Sequence, residues 1–459
     1  MGLAAGSSTY FVFVAAVFFV YWAAPQTRLF RLAVILLANY FFLARYGLFY
    51  LALIPACSLA DFLVGLGLMR FRHAAVRRIL VGISVAINLA LLVGSRHMGA
   101  VVGPGGWDWI FPLGLSFYTF QALTYTLDLY RRDAEGTTSL LAHLSAVSFF
   151  PTLQAGPITR VSDLIPQFAA RRPLDRTEGG RALFLIGLGL LKKACIADLL
   201  AETIVNRVFD TPKLYSGAEV LLAVYAYSFQ LYFDFSGYTD IARGCAQLLG
   251  IRLPLNFDRP YRSGNLTEFW RRWHITFSNW LRDYLYFSLP GKRTRVMPYL
   301  NLVITMLLGG LWHGFTWTFA IWGLLHGTAL AATRAYMVWR GRPKEPPRPW
   351  RHALAVFGTW QFVCLTWVFF RAGSLTNALD ILGRIASLSV GFENVTALFA
   401  AAMLLAGATF FLPKPWHARA MERFAACPFY VHAGALAAVA LALRYLGASG
   451  NVAFVYSRF

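Results

Sequence analysis

Charged side chains are scarce in this sequence. Asp, Glu, Lys and Arg make up 14% of the 459 residues, whereas hydrophobic residues make up 58%. Soluble domains carry about 25% charged residues, so this composition excludes an ordinary soluble protein. Apolar runs close to the roughly 20 residues that cross a bilayer recur along the chain, and the alternation typical of a membrane β-barrel is lacking. We therefore predict an all-α polytopic membrane protein.

Cysteine is also sparse, and its pattern excludes a disulfide framework and a zinc site. The count is odd, the spacing matches neither pairing nor metal binding, and most of the positions have apolar neighbours. Such residues are typical of buried free thiols, and we predict no metal site. The five positions are Cys57, Cys195, Cys245, Cys364 and Cys427.

A positive charge before the first apolar run is lacking as well. A cleaved signal peptide normally carries one, so we expect residues 10–22 to remain as a first span. The whole chain is nevertheless basic, with a net charge of +21. Because Lys and Arg fall between the apolar runs, they indicate cytoplasmic loops that face anionic lipid, and we expect no nucleic-acid binding.

The basic loops predict the topology. Three spans are separated by basic turns at residues 28–31 and 70–78, and nine further spans give about twelve crossings in all. The sign pattern places both termini outside the cytoplasm. No internal repeat is evident, so residues 1–459 are expected to form a single membrane domain. The spans with assigned limits are 10–22, 79–94, 110–130, 182–200, 219–234, 296–313, 318–338, 353–370, 395–412 and 432–446.

Residues 140–158 form an apolar stretch with basic residues on both sides. If both flanks are cytoplasmic, the stretch enters the membrane and returns without crossing it. Pro151, Gly156 and Pro157 break helices, which favours a re-entrant segment buried in protein. A plain crossing is the alternative.

Residues 265–285 predict an amphipathic helix. Asn265 followed by Glu268 is typical of a capped helix N-terminus, and aromatic or apolar residues then recur at helical spacing. Such a helix would lie at the cytoplasmic interface or dip into the protein. In the alternative interpretation it is only a surface anchor, and its histidine is incidental. The opposite, basic side carries Arg271, His274, Ser278 and Arg282.

His313 stands in an apolar stretch expected at membrane depth, with glycines at 309, 310 and 314 that allow close approach of backbone or ligand. Titratable side chains there are costly and often mark function, and imidazole moves protons near neutral pH. The alternative is a core histidine satisfied by a neighbour. His326 has similar neighbours and is a weaker candidate.

Several stretches together resemble the membrane-bound O-acyltransferase family, in its bacterial branch concerned with alginate O-acetylation. The match covers most of the chain, with a motif-bearing core at about residues 110–371, and it is strongest from Phe149 to His326. Each motif is weak alone, but their joint order is specific. The stretches are 149–158, 230–240, Asn256-Phe257 with Pro260-Tyr261, 269–286, 309–314 and 367–371.

This resemblance implies a helical bundle in the bacterial inner membrane. A central tunnel, a re-entrant segment and interfacial helices would join a cytoplasmic donor side to an outer acceptor side. His313 would be the catalytic histidine and His274 the second functional histidine, with Trp312 beside the substrate. The implied donor is acetyl-CoA, with no bound cofactor. The implied partners are an extracytoplasmic glycan and a periplasmic acetyltransferase.

We expect His313 to act as a neutral general base, because burial disfavours imidazolium, and His274 to position the donor or polarise its carbonyl. Asp234, with Asp240, would orient a histidine or, more commonly, pair with an arginine. Two other functional classes stay open, a transporter without covalent chemistry and a scaffold. The acceptor stays open among alginate, cellulose, peptidoglycan and other glycans. Three arginines would either hold the phosphates of coenzyme A or serve only as inside-positive anchors. They are Arg271, Arg272 and Arg282.

Overall fold

The computed structural model describes residues 7–23, 27–102, 114–170, 172–290, 294–341 and 348–446, and these ranges contain helices and no strands. The all-α prediction is confirmed. Short π-helical segments at Lys192–Asp198, Ala201–Val205 and Leu281–Leu285 interrupt the α-helices. The α-helices are α1 (Ser8–Ala23), α2 (Arg28–Ala44), α3 (Leu48–Arg70), α4 (Ala74–Val102), α5 (Leu115–Arg131), α6 (Leu140–Val147), α7 (Phe150–Leu153), α8 (Val161–Ala169), α9 (Arg176–Leu191), α10 (Asn206–Asp210), α11 (Gly217–Leu248), α12 (Leu266–Trp270), α13 (Ile275–Trp280), α14 (Met297–His313), α15 (Trp317–Arg340), α16 (Pro349–Arg371), α17 (Leu375–Ala386), α18 (Ala397–Phe411), α19 (Lys414–Ala426) and α20 (Phe429–Leu446).

Three helices in the described ranges are long and apolar enough to cross a membrane by themselves: α3, the Ala74–Gly94 part of α4, and α16. A fourth span results if α18 and α19, which meet at a bend of 91°, count as one broken crossing. The predicted total of about twelve crossings is not reached by this criterion and stays a prediction. Both chain ends, predicted to be extracytoplasmic, lie outside the described residues.

The buried central helix α11 begins at a capping box. The Ser216 side chain accepts from the backbone N–H of Glu219, and the Glu219 carboxylate accepts from the backbone N–H of Ser216. The helix continues for 32 residues, well beyond the predicted limit at residue 234. The helix passes this limit because the acidic residues expected at the polar end of the span are neutralised within the bundle by lysines of the neighbouring chain segment.

The antiparallel hairpin of α14 and α15 is held unusually close by glycine. A Cβ atom placed on Gly310 would lie 2.4 Å from the carbonyl oxygen of Phe319, and one on Gly323 would lie 2.5 Å from that of Met306. Only glycine allows the two backbones to approach in this way. Gly310, beside His313, therefore serves helix packing, one of the two uses that the sequence allowed for these glycines.

Residues 140–158 do not form one continuous helix. They contain α6 and α7, followed by non-helical chain to residue 160, and most of the segment is buried. Side chains of other helices satisfy the freed backbone groups. Asn39 donates to the carbonyl of Ser145 (3.1 Å) and accepts from the N–H of Phe150 (2.9 Å), while Gln121 donates to the carbonyl of Ala146 (2.7 Å). The predicted break is present, and irregular backbone of this kind is tolerated at membrane depth when it is buried in protein.

Candidate active site

His313 is the last residue of α14, and its side chain is 5% exposed. Aromatic side chains from three other parts of the bundle surround it. Its ring centroid lies 4.8 Å from that of Phe370 in α16, 5.5 Å from Trp322 and 5.8 Å from Phe319 in α15, and 6.3 Å from Phe277 in α13. The helix end and the glycine-mediated hairpin fix the position of the imidazole.

Phe277 joins the two predicted histidines. Its ring centroid lies 5.0 Å from that of His274, 4.6 Å from that of Trp312 and 6.3 Å from that of His313. Phe117 also contacts both His274 (6.0 Å) and Trp312 (5.9 Å). The structure therefore brings together residues that are 39 positions apart, in one buried aromatic cluster.

The predicted continuous amphipathic helix at 265–285 is wrong. The cap is present, because Asn265 accepts from the N–H of Glu268, although the Glu268 carboxylate accepts from the N–H of Gly264. Helix α12 then ends at Trp270, and α13 begins only after His274, whose φ of 41° lies in the left-handed region. His274 is 1% exposed, so it does not lie on a basic outer face.

The chain around His274 is fixed by a segment that precedes it by 18 residues. The backbone carbonyl of Asn256 accepts from the N–H of Ile275 (2.9 Å), and the N–H of Asp258 donates to the carbonyl of Arg272 (2.9 Å). The side-chain Oδ1 of Asn256 lies 3.1 Å from Nδ1 of His274. These bonds explain why the helix breaks. The sequence indicated Asn256 only as part of a family motif, and no spacing rule links it to His274.

His326 is a satisfied core histidine. The indole N–H of Trp270 donates to its Nδ1 (3.4 Å), and its Nε2 lies 2.9 Å from Oγ1 of Thr366. The Thr366 hydroxyl donates its hydrogen to the carbonyl of Val363, so it accepts from Nε2–H. Both ring nitrogens are used, which leaves His326 no free group for chemistry.

The three predicted phosphate-binding arginines lie toward solvent, but two of them already face acids. Arg272 pairs with Glu268 at 2.5 Å, and Arg282 pairs with Asp283 at 2.8 Å. Arg271 is exposed. Surface pairs of this kind are weak, so a phosphate can compete for the guanidinium groups.

Asp234 is 2% exposed, and Lys193 neutralises it at 2.7 Å. Lys193 also lies 2.7 Å from Asp198. Asp240 pairs with Lys192 at 2.6 Å and, more weakly, with Arg243 at 3.7 Å. The prediction that arginines would be the partners was therefore wrong for Asp234 and incomplete for Asp240. The lysines come from the π-helical segment Lys192–Asp198, which no periodicity in the sequence indicated.

The described part of the chain contains no group of three or more His, Cys, Asp or Glu side chains arranged to hold a metal ion. The five cysteines are free thiols, and Cys57, Cys245 and Cys364 are buried.

Residues 130–376, which are 247 of the 459 residues, match the membrane-bound O-acyltransferase family. The chain belongs to this family. It is 38% identical to the probable alginate O-acetylase AlgI of Azotobacter vinelandii over 391 residues, covering 81% of this chain and 76% of the relative. It is 35% identical to the peptidoglycan O-acetyltransferase of Helicobacter pylori over 402 residues, covering 80% and 75%.

A more distant relative, the teichoic acid D-alanyltransferase of Streptococcus thermophilus, is 29% identical over 288 residues, covering 56% of this chain and 68% of the relative. Family membership makes this protein a multi-pass membrane O-acyltransferase. This assignment favours an enzyme over the transporter and the scaffold, the two alternatives that the sequence alone left open.

Proposed function

We propose that this acyltransferase moves an acetyl group from a cytoplasmic thioester donor, acetyl-CoA, toward hydroxyls of an extracytoplasmic glycan, with His313 as the general base. The observation that carries the proposal is the shared aromatic cluster around Phe277, which joins His313 to His274 in a buried site. The relatives named for alginate and peptidoglycan O-acetylation support acetyl as the group transferred.

The reaction needs one proton acceptor. A ring nitrogen of His313 takes the hydroxyl proton while the hydroxyl oxygen bonds to the thioester carbonyl carbon. The tetrahedral intermediate then collapses, the carbon–sulfur bond breaks, and the thiolate leaves and takes the proton from His313. A positioned base contributes about 10²–10⁴-fold to such a step.

Trp312 supports the same site as a hydrogen-bond donor. Its side chain is 8% exposed, and its indole N–H has no hydrogen-bond partner among the described residues. Buried donors are rarely left unpaired, and those that are often have a functional reason. We assign this N–H to the developing oxyanion. Trp312→Phe keeps an aromatic side chain and removes the donor, and it should lower the rate of the folded protein by about 10²–10³-fold.

The remaining assignments follow the chemistry of the two substrates. Arg271, Arg272 and Arg282 would hold the donor phosphates at the cytoplasmic side by charge-assisted contacts. Acetyl-CoA is made in the cytoplasm and the glycan lies outside, so we place the protein in the bacterial inner membrane. The distribution of basic loops places both termini outside the cytoplasm. A periplasmic acetyltransferase would complete the transfer to the polymer.

The decisive experiment replaces His313 by Gln, which keeps a polar side chain of similar size but is no base at neutral pH. His73→Ala is the matched control, because His73 is exposed and lies outside the site. Mass spectrometry of surface glycans should show that H313Q abolishes acetylation, that H73A retains it, and which polymer is modified. Near-normal acetyl content in cells that carry folded H313Q would overturn the assignment of His313.

A further inference from the structure

The side chain of Asn256 is fully buried, and its Oδ1 atom contacts three polar atoms of two residues. Its Oδ1 lies 3.2 Å from the backbone N of Thr276, 2.9 Å from Oγ1 of Thr276 and 3.1 Å from Nδ1 of His274. The Thr276 hydroxyl accepts from the N–H of Ile158 (3.0 Å), so its own hydrogen is free to point at Asn256.

These contacts determine the protonation pattern of His274. A backbone N–H can only donate, so the Asn256 atom that faces Thr276 must be the amide oxygen. That oxygen cannot donate, so Nδ1 of His274 must carry a hydrogen. A neutral imidazole with its hydrogen on Nδ1 has its lone pair on Nε2.

We propose that Asn256 is a positioning residue that holds His274 as the Nδ1–H tautomer and thereby presents Nε2 as a proton or hydrogen-bond acceptor. The inference rests on the proposed role of His274 in acyl transfer. It selects between the two roles considered for this histidine. A neutral His274 held in this way cannot polarise a thioester carbonyl by donating from Nε2, but it can accept from an N–H or O–H of a substrate.

Asn256 can be tested with a pair of substitutions of opposite effect. Its Nδ2 has no hydrogen-bond partner among the described residues, so Asn256→Asp loses no bond seen in the structure and keeps an acceptor for Nδ1–H. Asn256→Leu removes the acceptor. Purified protein in lipid nanodiscs should retain acetyl-CoA thioester cleavage with N256D, within about tenfold of wild type, and lose about 10²–10⁴-fold with N256L.

Thr276→Val is the control for a merely structural role. It removes one bond to Asn256 and the acceptor for Ile158, but leaves His274 its partner. T276V should lower the melting temperature and keep most of the activity. If activity instead follows melting temperature across N256L, N256D and T276V, Asn256 is a packing residue and the proposal is overturned.

A readout without catalysis separates this inference from the proposed function. ¹⁵N NMR of histidine-labelled protein distinguishes protonated from unprotonated ring nitrogens, and the His274 signals are those missing in His274→Gln. Wild type should show a protonated Nδ1 and an unprotonated Nε2. The reverse pattern overturns the proposal even if H313Q is inactive, whereas the expected pattern in an enzyme unaffected by H313Q would refute only the assigned base.

A second feature, remote from this cluster, is a groove with a volume of about 430 Å³ between α16 and the end of α18. Its walls are aromatic, with Trp360 and Phe357 on one side and Phe410 and Phe411 on the other. Phe357 is 56% exposed and Phe411 57% exposed, so the groove opens at the surface of the bundle. Because α16 is long and apolar enough to cross a membrane, we expect this opening to face lipid.

The charge at one end of the groove indicates what fills it. Arg262 and His352 line that end, and none of the described residues lining the groove carries a carboxylate. His352 lies in the first turn of α16 and follows Arg351, so this part of the groove lies at the end of a candidate span. We infer that the groove binds an anionic phospholipid, with acyl chains against the aromatic walls and the phosphate at Arg262, since basic side chains at a span end attract such headgroups.

Native mass spectrometry of the detergent-purified protein tests this second inference with phosphatidylglycerol, phosphatidylcholine and glycerol phosphate as probes. Wild type should retain phosphatidylglycerol, and Arg262→Gln should lose it by about tenfold or more. The matched control is Arg72→Gln, an exposed arginine elsewhere on the chain, which should retain the lipid. Equal retention by R262Q, or equal binding of phosphatidylcholine or free glycerol phosphate, overturns the inference.

Discussion

Removing the charge of Lys193 tests whether the ion cluster beside α11 holds the bundle together. Lys193 is 11% exposed, and its ammonium lies 2.7 Å from both Asp234, which is 2% exposed, and Asp198, which is 24% exposed. Lys193→Met preserves the length of the side chain but takes a cation away from two carboxylates. Because Asp198 is partly exposed, water can solvate it after the substitution. Most of the lost unfolding free energy should therefore come from the buried Asp234.

Removing one partner of a buried ion pair costs about 3–5 kcal/mol, because the remaining charge is left uncompensated. We therefore expect K193M to lower the free energy of unfolding by about this amount. Removing both charges is far cheaper than removing one, so Asp234→Asn added to K193M should restore more than half of the loss. The matched control is Lys213→Met, because Lys213 is 72% exposed in its 3.0 Å pair with Asp380, and exposed pairs contribute about 0–1 kcal/mol.

The assay is denaturant unfolding in detergent micelles, followed by the fluorescence of the 14 tryptophans. Two outcomes would contradict this account of the cluster. In the first, K193M lowers the free energy of unfolding by no more than K213M does. In the second, D234N added to K193M lowers it further instead of restoring it.

Two further predictions concern packing near the site and in the N-terminal helices. Gly310→Ala should sharply reduce acetylation because its Cβ would lie 2.4 Å from a carbonyl oxygen of α15, whereas Gly358→Ala, which meets nothing within 4 Å, should retain it in the same glycan assay. Asp61 accepts from Ser84 (2.7 Å) and from Asn88 (3.0 Å). Asp61→Asn keeps an acceptor and should lower the free energy of unfolding less than Asp61→Leu does. Asp61→Leu leaves both donors without their acceptor, at a cost of about 1–3 kcal/mol each. Equal losses of unfolding free energy in the two variants would contradict this.

The family resemblance implied that His274 and His313 share one site, and the structure places both rings against Phe277. Nothing in the sequence indicated which contacts hold them there. His313 could be found because a titratable residue among glycines in an apolar stretch is unusual. The helix expected through His274 was wrong because periodicity describes only local preference, and the break depends on backbone bonds from residues 256 and 258. Contacts between segments so far apart leave no periodic signal.

The ion partners of α11 were missed for a related reason. Acidic residues in a predicted span suggested its end, and arginine seemed the usual partner. The actual partners, Lys192 and Lys193, are brought to α11 by a π-helical segment and by the close approach of Gly189 and Gly237. A Cβ added to Gly189 would lie 2.5 Å from the carbonyl oxygen of Gly237, and one added to Gly237 would lie 2.7 Å from that of Gly189. Neither feature follows from composition or spacing.

Three of the stretches that carried the family resemblance are explained by one hydrogen-bonded cluster. Ile158 ends the stretch 149–158, Asn256 begins the Asn256-Phe257 stretch, and His274 and Thr276 lie in the stretch 269–286. Ile158, Asn256 and His274 lie outside regular helix, and irregular backbone is costly in a membrane unless other groups satisfy it. The bonds among them satisfy that backbone and fix the imidazole at the same time. Loss of the Asn256 acceptor should therefore disturb His274 directly, whereas Thr276→Val, which leaves that acceptor in place, should mainly lower the stability of the fold.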